Sequence, residues 1–212
     1  MKHAFIMDPL ERVKAYKDTS YFLMLAACER GHQVYYLDAG DLYVKDSSVI
    51  ATAQRVNVQD DPQVPFQPES AEPVLLADMD AVWIRTDPPV DRAYFYMTML
   101  LDLLPAHVKV VNRPSTIRDW NEKLAALQYP QFIPATMVAR HSAQIIDFVH
   151  QHGRTTLKPI DGHGGAGIIF VDAEQADLES QIRLVTHGDS HWVIVQQYLD
   201  AAKGGDKRIL LL

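Results

Sequence analysis

Four glycines lie within one short segment, TLKPIDGHGGAGIIFV, at positions Gly162, Gly164, Gly165 and Gly167. Each glycine loses more backbone entropy on folding than alanine would, at a cost of about 0.5–1 kcal/mol, and a hairpin turn needs only one or two of them. A loop without side chains can approach a phosphate closely and direct its backbone N–H groups at it. The segment therefore indicates a phosphate-binding loop, with a mobile surface loop as the alternative.

The residues around this loop form strands rather than a helix. GHGGAG lacks the Gly-Lys-Ser/Thr of a P-loop and the spacing of the dinucleotide fingerprint, and the IIFV that follows is typical of a strand. A glycine-rich hairpin between two strands can instead fold over a triphosphate, as the glycine loop of kinases does.

Two lysines could supply positive charge to the same phosphates. Leu157 and Lys158 point to opposite faces of an extended strand, so Lys158 can reach a groove when Leu157 lies in the core. Lys123 falls near the start of a predicted helix, where the helix dipole does not favour a cation, and a bound anion would account for it. Taken singly, each lysine also fits a solvated surface position.

Three other segments carry polar groups at strand ends. VIVQQYL places Gln197, Tyr198 and Leu199 after an apolar run, which is typical of a hinge that contacts a ligand in an apolar cleft. Arg85 lies at the carboxyl end of a predicted parallel strand, where α/β sheets bind ligands, although a rim arginine would look the same. GGDKR brings Arg208 to a strand start, a pattern that also fits a hairpin turn with solvated charges.

Alternating strands and helices must position these groups. In the first half, HAFIMD, HQVYYLDAGDLYV and VKVVN predict strands at 3–8, 32–44 and 108–112, with helices at 19–31 and 91–104. DAVWIRTDPP, at 80–89, predicts a strand that runs into a proline-stiffened turn. Thr19 or Ser20 is expected to cap the first helix. Residues 45–72 show little periodicity, although 48–58 fits one or two edge strands. Strand, helix, strand with short links predicts a parallel sheet.

The second half has a different pattern. It predicts helices at 118–130, 142–153 (capped by Ser142) and 174–188, and strands at 135–139, on both sides of the glycine loop, at 191–199 and after GGDKR. Its final ILLL is fully apolar and needs neighbouring strands, so we expect that the sequence is either incomplete or naturally shortened.

Composition narrows the class of protein. The chain has 212 residues, 48% hydrophobic and 22% charged, and a formal net charge of −7. An acidic chain without a basic run lacks the electrostatic footprint of a nucleic-acid binder and must bind phosphates with local groups. No segment fits a signal peptide or a membrane span, so we expect a cytoplasmic protein without a membrane partner. Cys28 is the single cysteine, which rules out an intrachain disulfide.

Taken together, the segments resemble the bacterial glutathione synthetases of the ATP-grasp ligase superfamily. The resemblance rests on FIMDP, SYFLMLAACERGH, IRTDPP, VVNRPSTIRDWNEKL, LKPIDGHGGAGI, QQYL and GDKRILL, which occur in the family's order over nearly the whole chain. It implies an α/β protein with an N-terminal parallel-sheet domain, the Rossmann-like pre-ATP-grasp type, at 1–120. An incomplete ATP-grasp domain, the ATP-binding lobe, would follow at 121–212.

The resemblance also implies roles for the candidate residues. Lys123 and Lys158 match the two lysines that hold the ATP phosphates, and the loop of Gly162, Gly164, Gly165 and Gly167 matches their flexible cover. Gln197, Tyr198 and Leu199 match the adenine hinge, and Asp206 an acidic residue near the nucleotide. Arg208 matches a catalytic basic residue near the transferred phosphate, and Arg85 a position associated with the substrate dipeptide.

The implied reaction joins γ-glutamylcysteine to glycine with ATP and Mg²⁺, through an acyl phosphate. Family members hold Mg²⁺ with an Asp, a Glu and an Asn downstream of GDKR, beyond this sequence, so we expect no metal ligand within the chain and little or no activity from it. Two alternatives stay open: a shortened, non-catalytic nucleotide- or peptide-binding paralogue, or an ATP-grasp carboxylate–amine ligase with another acceptor. Bacterial members form homo-tetramers, which leaves a homo-oligomer open here.

Overall fold

The computed structural model describes residues 1–162, 164–205, 207 and 209. Its backbone divides into two compact units, Met1–Trp120 and Asn121–Leu212. Within the described ranges, none of the helices is both long and apolar enough to cross a bilayer. Most of the strand predicted after GGDKR falls outside the described residues.

The first unit is a seven-stranded mixed sheet with three helices. Its strands are β1 (Lys2–Ile6), β2 (Gln33–Leu37), β3 (Leu42–Lys45), β4 (Ser48–Val58), β5 (Phe66–Leu75), β6 (Ala81–Ile84) and β7 (Lys109–Val111). Its helices are α1 (Thr19–Glu29), α2 (Arg92–Leu101) and α3 (Pro114–Asp119). Strands β2, β1, β6 and β7 lie parallel in that order, which confirms the predicted parallel α/β core.

The central strand β1 is buried on both faces. Ala4, Phe5 and Ile6 are all 0% exposed, as expected for a parallel strand covered by helices. Successive side chains alternate between the faces, so Ala4 and Ile6 pack in the cluster that contains Met97 of α2, and Phe5 packs in the cluster that contains Met24 of α1. This packing fixes the carboxyl end of β1 at the edge of the sheet where the parallel strands end.

The antiparallel part of this sheet differs from the sequence prediction. The strand predicted at 32–44 is interrupted at Ala39–Asp41, because the Asp38 carboxylate accepts a hydrogen bond from the Gly40 N–H at 2.8 Å and caps a 3₁₀ turn. Strand β4 is internal rather than an edge, with β2 and β3 along one side and β5 along the other. β5 was not predicted, because its polar and proline-containing sequence is tolerated only at a sheet edge.

The second unit is a four-stranded antiparallel sheet backed by two helices. Its strands are β8 (Thr136–Ala139), β9 (Thr155–Pro159), β10 (Ile169–Val171) and β11 (Val193–Gln197), in the order β10-β9-β11-β8. Its helices α4 (Ser142–His152) and α5 (Leu178–Val185) pack on one face, where Ile145 and Ile182 meet Leu157 and Val195. The opposite face of β9 and β11 carries the polar side chains of the candidate site.

Two predictions about helices in this region were wrong. The helix predicted at 118–130 is broken after α3, because the Asn121 side chain accepts hydrogen bonds from the N–H groups of Lys123 and Leu124, at 2.9 and 3.0 Å, and starts a new turn. A short 3₁₀ helix then runs over Ala125–Gln128. Ser142 does not cap α4, because its N–H and hydroxyl both donate to Asp189 from a distant loop.

Candidate functional site

Two adjoining cavities lie on the open face of the second unit's sheet. The larger, of about 350 Å³, has largely apolar walls that include Pro134, Ile168, Phe170 and Leu199. The smaller, of about 230 Å³, lies under the glycine loop and is lined by Lys123, Lys158, Gly162, Gly164 and Gly165 among others. Lys158 and Ile168 belong to both walls. The site therefore has an apolar part and a cationic part that meet at Lys158.

Lys158 occupies this junction because of the alternation in β9. Leu157 is 0% exposed in the core, and Lys158 points the opposite way, as its position in the strand predicts. Its ammonium donates to Gln196 Oε1 at 2.7 Å, and within the described part of the chain no carboxylate lies at ion-pair distance from it. Burial lowers the pKa of Lys158. An anionic ligand would supply the missing countercharge.

Lys123 lies in the same small cavity but already has a partner. Its Nζ is 3.0 Å from Glu122 Oε1, and this hydrogen bond is the main reason that the pKa of Glu122 is lowered. The Glu122 side chain is 74% exposed, and exposed ion pairs contribute little free energy. A phosphate could therefore replace Glu122 as the partner of Lys123 at a small cost in free energy.

Positive backbone φ angles account for three of the four glycines of the loop. Gly164, Gly165 and Gly167 have φ values of 58°, 81° and 73°, a region that other L residues rarely adopt. At Gly167 a Cβ atom would lie 2.9 Å from Pro159 Cγ, whereas at Gly164 and Gly165 it would meet nothing within 4 Å. The first two glycines thus expose backbone to the cavity, and Gly167 packs against the end of β9.

The end of β11 offers a hydrogen-bonding edge to the larger cavity. The N–H groups of Gln197 and Tyr198 donate to the carbonyls of Ala135 and Arg154, at 3.0 and 2.9 Å. Among the residues that the structure describes, no partner meets the Gln197 carbonyl or the Leu199 N–H. An acceptor and a donor two residues apart, beside an apolar slot, fit the edge of a flat heteroaromatic base.

The aromatic wall of this cavity was not predicted from the sequence. Phe170 and Tyr198 meet edge to face, with ring centroids 5.6 Å apart, and the Arg154 guanidinium lies 4.5 Å from the Tyr198 ring. Gln196 was also missed, although it contacts Lys158 directly. Phe170 and Gln196 reach the site only through the pairing of β10 with β9 and of β11 with β9, which their local sequence does not reveal.

Arg85 lies in the first unit, at the carboxyl ends of the parallel strands. Its N–H donates to the Ile6 carbonyl at 2.7 Å, and its Nε donates to Ser20 Oγ at 2.9 Å. A cavity of about 310 Å³ surrounds it, with Arg12 and Lys17 also in the wall. The wall also carries three carboxylates, Asp8, Asp18 and Asp87, so the cavity has charges of both signs at the edge where α/β sheets bind ligands.

Two candidate residues, Asp206 and Arg208, lie outside the described residues. Over the ranges that are described, no group of three or more His, Cys, Asp or Glu side chains is placed to hold a metal ion. The residues that the structure does bring together are the two lysines, the glycine loop and the β11 edge.

Comparison with known proteins identifies the family. Residues 1–118 match the N-terminal domain of prokaryotic glutathione synthetase, and residues 122–212 match its ATP-grasp domain. The chain belongs to the prokaryotic glutathione synthetase family. The whole chain is 40% identical to the glutathione synthetase of Gloeobacter violaceus and 39% identical to that of Nitrosomonas europaea, and it spans 67% and 68% of their lengths, about two thirds.

Solved structures agree on the fold. A RimK-domain ATP-grasp protein from Sphaerobacter thermophilus superposes with a TM-score of 0.59 at 20% identity, covering 96% of this chain and 66% of that one. The D-cycloserine synthetase DcsG gives 0.61 at 16% identity, covering 95% and 61%. Membership of the glutathione synthetase family, with its ATP-grasp domain, places the chain among the ATP-dependent carbon–nitrogen ligases.

Proposed function

We propose that the second unit, at 121–212, binds ATP and that the first, at 1–120, holds γ-glutamylcysteine for ligation to glycine. The observation that carries the proposal is the junction at Lys158, where a cavity for a base meets a cavity with two ammonium groups and a glycine loop. An acidic chain of net charge −7 binds a polyphosphate only through such local groups.

The β11 edge is suited to adenine. The Gln197 carbonyl would accept the adenine N6–H, and the Leu199 N–H would donate to N1. Guanine presents the opposite pattern, an acceptor facing the carbonyl and a donor facing the N–H. A buried mismatch of this kind leaves polar groups unpaired and costs about 1–3 kcal/mol for each. Tyr198 would support the base through its packing with Phe170.

The phosphates would then run from the base cavity toward the loop. Lys158 would meet them first because it stands in both walls, and Lys123 would meet them after leaving Glu122. The backbone of Gly164 and Gly165 would approach closely, since no side chain intervenes. Closure of this loop would keep water from the reacting groups.

Bound MgATP supplies the γ-phosphoryl group that activates the γ-glutamylcysteine carboxylate as an acyl phosphate, which the glycine amine then displaces. Arg85, in the cavity of the first unit, would hold a carboxylate of the dipeptide. By the family resemblance, Arg208 would stabilise the transferred phosphate and Asp206 would lie near the nucleotide. Mg²⁺ would neutralise the β- and γ-phosphates with ligands other than the described residues.

The test separates binding from turnover. The chain is titrated with ADP, a non-hydrolysable ATP analogue and GDP, with and without Mg²⁺, and ADP release is then measured with γ-glutamylcysteine and glycine. We expect binding of the adenine nucleotides, and GDP binding weaker by about tenfold or more. Binding without turnover would support the nucleotide site and the predicted lack of activity.

Lys158→Met should weaken ADP binding by about tenfold or more, and Lys45→Met, an exposed change at the end of β3, should leave it unchanged. A wild-type chain that binds neither ADP nor the analogue would refute the proposal. ADP release with another amine acceptor, but not with glycine, would refute the glutathione assignment alone.

A further inference from the structure

We propose that Gln196 is a positioning residue: held by Thr136, it aims the Lys158 ammonium at the junction between the two cavities. A chain of hydrogen bonds leads from the backbone to this ammonium, and the sequence alone assigned no role to Gln196 or Thr136. The inference deepens the proposed function and rests on it for the identity of the ligand, while the geometry stands by itself.

The direction of each hydrogen bond follows from the groups involved. The Thr136 hydroxyl donates its single proton to the Pro134 carbonyl at 2.7 Å, so its oxygen can only accept from Gln196 Nε2, 3.0 Å away. The amide nitrogen of Gln196 is thereby turned toward Thr136, and its Oε1 faces Lys158 Nζ at 2.7 Å. A flipped amide would place N–H groups against the ammonium.

The register of the sheet brings the three side chains together. Gln196 pairs with Thr136 on one side and with Thr156 on the other, and Lys158 pairs with Ile194. Gln196 and Lys158 are therefore diagonal neighbours on the same face of β11 and β9, within reach of each other. The backbone of three adjacent strands fixes the position of the amide.

An amide suits this position better than a carboxylate would. Gln196 Oε1 accepts from the ammonium and orients it without neutralising its charge. A glutamate would form an ion pair with a half-buried lysine and compete with the phosphates for it. Because Lys158 lies in the walls of both cavities, its orientation decides whether the charge meets the first phosphates or points away from them.

The first experiment measures the pKa of Lys158 in the nucleotide-free chain, from the pH dependence of the NMR signals of its side chain in lysine-labelled protein. Gln196→Leu should lower this pKa further, because the ammonium loses its acceptor, and Gln196→Glu should raise it. Gln144→Glu makes the same chemical change at an exposed position of α4 and should leave it unchanged. A purely structural role for Gln196 would not shift the pKa in opposite directions.

The second experiment compares ADP with adenosine by calorimetry. Gln196→Leu should weaken ADP binding by about tenfold, the usual effect of losing a hydrogen bond to a charged group, and weaken adenosine binding much less. Thr136→Val should produce part of the same loss, and Thr136→Ser, which keeps the hydroxyl, should restore wild-type binding. Thermal unfolding of each variant checks that it is folded.

An unchanged Lys158 pKa in both Gln196 variants, or equal losses for ADP and adenosine, would overturn the inference. If the wild-type chain binds no nucleotide, the proposed function fails, and the pKa measurement still decides the role of Gln196. If the chain binds nucleotide and Thr136→Val binds ADP as tightly as the wild type does, the proposed role of Thr136 in holding Gln196 is wrong.

Discussion

At the scale of single residues, His3 shows how the partners of one side chain fix its protonation. His3 is 8% exposed, its Nδ1 accepts the Trp83 indole N–H at 3.1 Å, and its Nε2 lies 3.0 Å from His32 Nδ1. An indole only donates, so His3 Nδ1 carries no proton and the Nε2–H donates to His32. If His3 were protonated, its Nδ1–H would face the Trp83 indole N–H, and neither donor would have an acceptor. The arrangement therefore requires a neutral imidazole at His3.

The stability of the chain should consequently depend on His3 at mildly acidic pH. Burial, followed by His32 and the N-terminal ammonium, lowers the pKa of His3, and Asp80 opposes this weakly. A lowered folded-state pKa gives a stabilisation that is complete above the unfolded value of about 6.5 and is lost as the pH falls below it. His3→Asn, whose Oδ1 can still accept from Trp83, should make the free energy of unfolding less dependent on pH between about 5 and 7.

Urea denaturation over this pH range checks the prediction, with His150→Asn as the control, because His150 is exposed on α4. If the free energy of unfolding changes with pH by the same slope in wild type and His3→Asn, the neutral pair contributes nothing to this pH-dependent stability. The sequence could not reveal this pair, since Trp83 is 80 positions from His3 and only the pairing of β1 with β6 brings the two together.

At the scale of elements, the helix starts show what local sequence predicts and what it does not. The sequence placed α1 and α4 nearly correctly but assigned their caps to Thr19 or Ser20 and to Ser142. The Asp18 carboxylate caps α1 by accepting from two N–H groups, and Ser20 accepts instead from Arg85. Periodicity determines where a helix lies, whereas several neighbouring side chains compete for its first N–H groups, and tertiary contacts decide between them.

The glycine loop gives a prediction at the same scale. Gly167→Ala should destabilise the chain more than Gly164→Ala. Both positions require a left-handed conformation, which costs a non-glycine residue about 1–2 kcal/mol, and at Gly167 the new Cβ would also lie 2.9 Å from Pro159 Cγ. Urea denaturation of the two variants measures the difference. Equal losses of stability would mean that Pro159 moves aside without a cost in free energy and that close packing does not require a glycine at position 167.

At the scale of the whole molecule, the predictability of each unit follows from its topology. Alternating apolar strands and helices sufficed to predict the parallel core of the first unit and the class of the fold. Strand β5, with two prolines and mostly exposed residues, has no apolar alternation to detect. In the second unit the glycines and Lys158 were recognisable, but Gln196 and Phe170 became site residues only through the register of β9 with its two neighbours.

The two units should respond to different ligands, because each contains its own cavities. ADP should slow amide hydrogen exchange in β9, β10 and β11 and in the loop at 164–167, where the lysines and the hinge lie. γ-Glutamylcysteine should slow exchange around Arg85 and the first turn of α1, which line the cavity of the first unit. Exchange measured by mass spectrometry with each ligand alone distinguishes the patterns, and Lys158→Met should reduce the first at a given ADP concentration and preserve the second. Protection by ADP confined to residues 1–120 would contradict the assignment of the nucleotide to the second unit, because none of the groups argued to bind it lies there.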